Sequence, residues 1–200
     1  MEARSSALGV TSDRHPIGLI VTDDLRRSRL TVFFRLVLAI PHLIVLYVFG
    51  IVIEVVLFVA WIVALFLGRL PDGLHNFMAA YLRYLTRVSA YVLLLADPWP
   101  PFSSSPYPVD VRVDPPVQQN RLTILVRLLL AIPAGIISAV FRIVNTLLAI
   151  FGWFYCLAVG RMHEGMRNLS AWMLGYEVQT YGYAFLLTGR YPSLSGAPTA

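Results

Sequence analysis

The sequence predicts an all-α membrane protein. Its plan is a tandem repeat of a helical hairpin plus an interfacial amphipathic helix, with a short cytoplasmic β-strand before each hairpin. Three observations predict this. The 200 residues are 58% hydrophobic and only 14% charged, whereas an ordinary soluble domain carries about 25% charged residues. The apolar residues gather into two runs of about 35 residues, longer than one bilayer crossing needs. The runs are also copies of one another: "RLVLAIPHLIVLYVFGIV" begins at Arg35 and "RLLLAIPAGIISAVFRIV" at Arg127.

Sliding the chain by 92 positions aligns residues 16–103 with 108–195 without a gap, and about thirty paired positions are then identical. The matches extend beyond apolar residues. Arg29 falls on Arg121, Arg35 on Arg127, Pro41 on Pro133, Trp61 on Trp153, and Gly68-Arg69 on Gly160-Arg161. The chain is a duplicated unit, with repeat 1 at 16–103, a linker at 104–107 and repeat 2 at 108–195. The first residues, 1–15, lack the apolar stretch of a signal peptide and read as disordered. Residues 196–200 read as a loose tail.

Each unit opens with an alternating stretch. In "YPVDVRVD" the residues Val109, Val111 and Val113 are separated by Asp110 and Arg112, the pattern of a half-exposed strand. The long apolar run follows, at about 30–68 and 122–160. One helix crosses about 30 Å of hydrocarbon with roughly 20 residues, so each run is expected to fold back as two short helices, turning near Phe49-Gly50 and near Phe141-Arg142. A Gly-containing turn, "GRLPDG" or "GRMHEG", comes next. The closing segments, at about 74–95 and 166–187, read as amphipathic helices in the interface, because Arg83 and Arg87 share one face in the first of them.

All sixteen basic residues are arginines and the net charge is +5. They flank both ends of both apolar runs, so the positive-inside rule places both termini in the cytoplasm of a multi-pass protein. The even number of crossings makes the units parallel repeats about an axis along the membrane normal. Arg29, Arg35, Arg121 and Arg127 are candidate lipid-headgroup contacts, with snorkelling as the simplest role. Pro41 and Pro133 remove an amide donor inside a helix and are candidate kinks. Glu54 and Arg142 are candidates for an ion pair between the repeats, since an acid inside a membrane segment needs a partner.

No catalytic signature, nucleotide-binding loop or cofactor motif is present. His75, His163, Asp72 and Glu164 sit near the Gly-Arg turns without metal-ligand spacing. The lone Cys156 excludes an intrachain disulfide. No feature points to nucleic acid. The expected partners are membrane lipids and a membrane protein complex or a second copy of the chain. The leading expectation is a non-enzymatic scaffold or accessory subunit, and the alternative is a small transporter or channel with its path between the repeats. A lipid-directed enzyme using Arg35, Arg127, His42 and Glu54 ranks third.

"RLVLAIPHLIVL", the "GRLPDG" turn, "LRYLTRVSAYVLLLADPWPPF" and "YPVDVRVD" together resemble a family of duplicated bacterial membrane proteins of unknown function, mainly actinobacterial. The resemblance covers nearly the whole chain. It implies a location in the inner membrane and implies no reaction. The second copy departs from it at Ala134, His163, Gly175 and Gln179.

Overall fold

A computed structural model describes residues 14–103 and 105–195. Residues 1–13 and 196–200 lie outside the described residues; of the stretch 1–15 expected to be disordered, His15 is described and is buried, bonded to the backbone of Ile17 at the start of β1. The elements are β1 (Ile17–Val21), α1 (Arg29–Leu67), α2 (Asp72–Val92), β2 (Val109–Val113), α3 (Arg121–Val159) and α4 (Glu164–Ala184).

The expected hairpins are not formed. Each long apolar run is a single helix of 39 residues, about 58 Å long at 1.5 Å per residue. The reason is local. Gly50 stands alone in the proposed first turn and costs only about 1 kcal/mol relative to Ala in a helix, and the second turn has no Gly, Pro or Asn at all. A reversal would leave carbonyls and amides unpaired that a continuous helix bonds internally. Pro41 and Pro133 lie within the helices and face outward, and the helix runs through both. Each rod ends where a glycine adopts the left-handed conformation. Gly68 (φ 72°) and Gly160 (φ 78°) donate their amides to Ala64 and Cys156, which closes the last turn.

The repeats are related by a two-fold axis, and residues 92 apart meet across it. In the two-stranded antiparallel sheet Leu19 faces Val111, its own counterpart, with Ile17 opposite Val113 and Val21 opposite Val109. The long helices follow the same symmetry. The Trp61 indole donates to the carbonyl of Ile124 (2.9 Å), and its counterpart Trp153 donates to Val32 (2.8 Å). The start of each rod therefore lies beside the end of the other, so α1 and α3 are antiparallel. The ends are stitched by reciprocal backbone bonds, Gln119 to Gly68 and Arg27 to Gly160.

Three layers stack along the axis. The sheet packs on α2 and α4, with β1 on α4 and β2 on α2, and those helices pack on α1 and α3. The core between sheet and helices contains Ile17, Leu19, Val109, Val111, Leu82, Leu174 and Val178. This arrangement corrects the expectation of interfacial closing helices. Beyond Ala80 no residue of α2 is exposed, and beyond Leu169 none of α4 is. The polar face of α2 looks at the sheet: Arg87 pairs with Asp110 (2.6 Å), and Arg83 donates to the carbonyl of Val111. Arg83 and Arg87, read as the polar face of an interfacial helix, here hold two layers together.

Candidate functional site

Arg35 and Arg127 are turned inward. Both are 1% exposed, which removes them as lipid contacts. The Arg35 guanidinium donates to the carbonyls of Tyr91 (2.6 Å) and Ala96 (3.0 Å) and to Asp97 (2.9 Å), and it lies over the Tyr91 ring. Arg127 repeats the pattern on Tyr183 and Thr188 and over the Tyr183 ring. Tyr91 and Tyr183 lie in the last turns of α2 and α4, where the macrodipole is negative, and Ala96 and Thr188 lie in the turns that follow. Arg27 adds two bonds to the Leu94 carbonyl, and Gln119, its counterpart, bonds that of Leu186. Each arginine is thus a clamp on the end of its neighbouring helix. The acid is not duplicated: Gly189 stands where Asp97 does, and Gln119 supplies an oxygen to Arg127 instead.

The expected Glu54–Arg142 pair is absent. Arg142 pairs with Glu177 on α4 and with the Tyr181 hydroxyl. Glu54 stays exposed and has no salt bridge among the described residues. The register is the reason. The counterpart of Arg142 is Gly50 and that of Glu54 is Thr146. The mid-section of α3 packs against α4 of its own repeat, as Ser138 to Thr180 (2.9 Å) also shows. Sequence reading missed Glu177, whose counterpart Leu85 is apolar. The duplication therefore carried no signal for it.

His42, buried at 0% exposure, bonds the Tyr84 hydroxyl through Nδ1 (2.7 Å) and stacks near Trp99 and Phe102. Burial pushes the Tyr84 phenol up to about 12, so it is protonated at neutral pH. In repeat 2 the pair becomes Ala134 and Tyr176.

The outward face of α1 and α3 is predominantly apolar, interrupted between the rod ends by Glu54, Arg142 and Thr146. On α1, Leu36 is 69% exposed, Tyr47 74%, Phe58 65% and Phe66 73%; on α3, Leu122, Leu129, Ile136 and Phe151 are comparable. Only one stripe of each rod, Val32, Ala39, Ile53, Ala60 and Ala64 on α1, meets protein. Both rods are long and apolar enough to cross a membrane. Exposed arginines sit at the ends. Arg29 caps the Ala158 carbonyl at the end of α3 (3.0 Å), and Arg121 lies beside Gly68 at the end of α1. Arg26 pairs by backbone with Arg161, and Arg69 follows Gly68. Of the four proposed headgroup arginines, Arg29 and Arg121 remain available to an anion.

Two cavities open between the repeats on this face, and the two-fold axis relates them. One, of about 500 Å³, is bounded by Leu36, Val92, Ala149, Ile150 and Trp153, with Arg35 and Thr146 at its wall. The other, of about 290 Å³, has the counterparts Leu128, Ala184, Leu57, Phe58 and Trp61, with Arg127 and Glu54. Both are predominantly apolar. Among the described residues no group of three His, Cys, Asp or Glu side chains converges on a metal site.

Comparison with curated proteins and with solved structures finds no match. A family model described as a domain of unknown function, DUF4389, matches residues 29–104 and again 121–195. The duplication read from the sequence and seen as the two-fold axis is thus a duplication of one family domain, and the chain belongs to the DUF4389 family.

Proposed function

We propose that this chain is a non-enzymatic protein of the bacterial inner membrane, with both termini on the cytoplasmic side, that engages lipids as an accessory or scaffold subunit. The observation that carries this reading is the uncovered apolar surface along the whole length of α1 and α3. Monomeric soluble proteins rarely leave contiguous apolar patches larger than a few hundred Å² open to water. The twin cavities, lined by Leu, Ile, Phe and Trp side chains, suit acyl chains. Of the four side chains that could act on a lipid, Glu54, without a salt bridge among the described residues, stands at the wall of one cavity, and Arg35, Arg127 and His42 are bonded to protein groups. The role of these last three is structural in this reading.

The test is purification of the full chain in mild detergent, followed by native mass spectrometry with identification of retained lipids. Retention of phospholipid in stoichiometric amount supports the reading. A chain that stays in solution without detergent and carries no lipid overturns it.

A further inference from the structure

An antiparallel helix pair can meet a bilayer in two ways. It can span, which lays the two-fold axis in the membrane plane. It can lie flat, which sets that axis along the membrane normal. Taking the chain as membrane-bound, the reading on which this rests, we propose that α1 and α3 lie flat in one leaflet of an anionic bilayer. The helices α2 and α4 and the sheet then stand on the aqueous side.

Length argues first. A rod of about 58 Å would have to tilt about 60° to keep its apolar surface within about 30 Å of hydrocarbon, beyond the usual 0–40° range. The sheet argues second. The axis passes between Leu19 and Val111 and through the middle of the α1/α3 pair. Spanning rods would therefore hold a two-stranded sheet with open edges, carrying Asp110 and Arg112, level with the bilayer centre. Open sheet edges do not occur at that depth.

Arg142 argues third. It lies about 32 Å from the start of α3 and about 26 Å from its end, and its side chain is 56% exposed. A spanning α3 would place this guanidinium at mid-bilayer, where charge is expensive; a flat one keeps it near the interface. The end charges argue last. Arg26, Arg29 and Arg161 cluster at one end of the pair and Arg69 and Arg121 at the other, all exposed. None has a salt bridge among the described residues, whereas Arg27, Arg35, Arg87 and Arg112 are paired with acids. In a flat arrangement both clusters meet headgroups of the same anionic leaflet. A spanning pair would send one cluster to each side, against the positive-inside rule.

Single cysteines at Ser28 and Gln118 report on the two ends, since both positions are exposed and native Cys156 is buried. Expressing cells are treated with a membrane-impermeant maleimide before and after permeabilisation of the inner membrane. The flat arrangement predicts that both cysteines are protected beforehand and that both react afterwards. Labelling of one and not the other in intact cells overturns it and leaves the membrane reading standing. Recovery of the chain in the soluble fraction would instead remove the membrane reading itself.

Discussion

Trp61 of α1 and Ile124 of α3 are joined by one hydrogen bond, indole N–H to backbone carbonyl at 2.9 Å. The carbonyl lies in the first turn of α3, and the bond ties the end of one repeat to the start of the other. Its symmetry mate, Trp153 to Val32, does the same at the far end. Trp61→Phe keeps the ring and loses the donor, so the expected cost is about 0.5–1.5 kcal/mol. Trp153→Phe should cost a similar amount, and the two should add because they sit at opposite ends of the rods. Thermal unfolding in detergent checks both.

Arg35→Met should be far more damaging. It strips the carbonyls of Tyr91 and Ala96 and the Asp97 carboxylate of a common buried partner, for which about 3–5 kcal/mol is expected. Arg35→Lys should recover only part of this, because an ammonium cannot reproduce the planar fork. A headgroup-binding arginine at the surface would show the opposite: little change in stability and weaker lipid binding.

Coupling between Arg142 and its two acidic candidates can be measured directly. A double-mutant cycle of Arg142→Gln with Glu177→Gln should show coupling of no more than about 1 kcal/mol, because half of the arginine is solvated. The same cycle with Glu54→Gln should show none. Coupling to Glu54 in place of Glu177 would mean that α3 packs against the other repeat.

The symmetry also supplies a packing test. A Cβ on Gly182 would come within 1.9 Å of Ile17 Cδ1, so Gly182→Ala should cost about 1–3 kcal/mol by overpacking. Adding Ile17→Val removes the clashing methyl and should restore most of the loss. The symmetry-related contact between the repeats already carries that solution, with Ala90 in place of Gly182 and Val109 in place of Ile17.

Much of this architecture was legible in the sequence, and the illegible parts have physical causes. The duplication and the two strands could be read because copied residues and a period of two are local signals. The continuity of α1 and α3 could not, because a count of apolar residues treats every one of them as crossing lipid. A rod lying along the membrane surface satisfies the same composition. The positive charge at both ends is plain in the sequence, but the fold-back drawn to explain it is not formed. The destination of Arg35 was hidden because the carbonyls it clamps lie 56 and 61 residues away. They are exposed to capture by a left-handed turn at Leu94 (φ 63°), repeated at Leu186 (φ 63°). Glycine or asparagine would ordinarily announce such a turn; here burial of the leucines selects the residue. Glu177 was illegible for a different reason, since it has no acidic counterpart in repeat 1.

The most direct measurement of the central claim is the depth of α1 in the bilayer. Nitroxide labels at Leu36, Tyr47, Phe58 and Phe66, all on the uncovered face, can be read by power saturation in vesicles containing phosphatidylglycerol. A rod lying in one leaflet predicts four depths within about one helix diameter, roughly 10 Å, of each other. Depth that climbs from one headgroup layer to the bilayer centre and falls toward the opposite layer would contradict it.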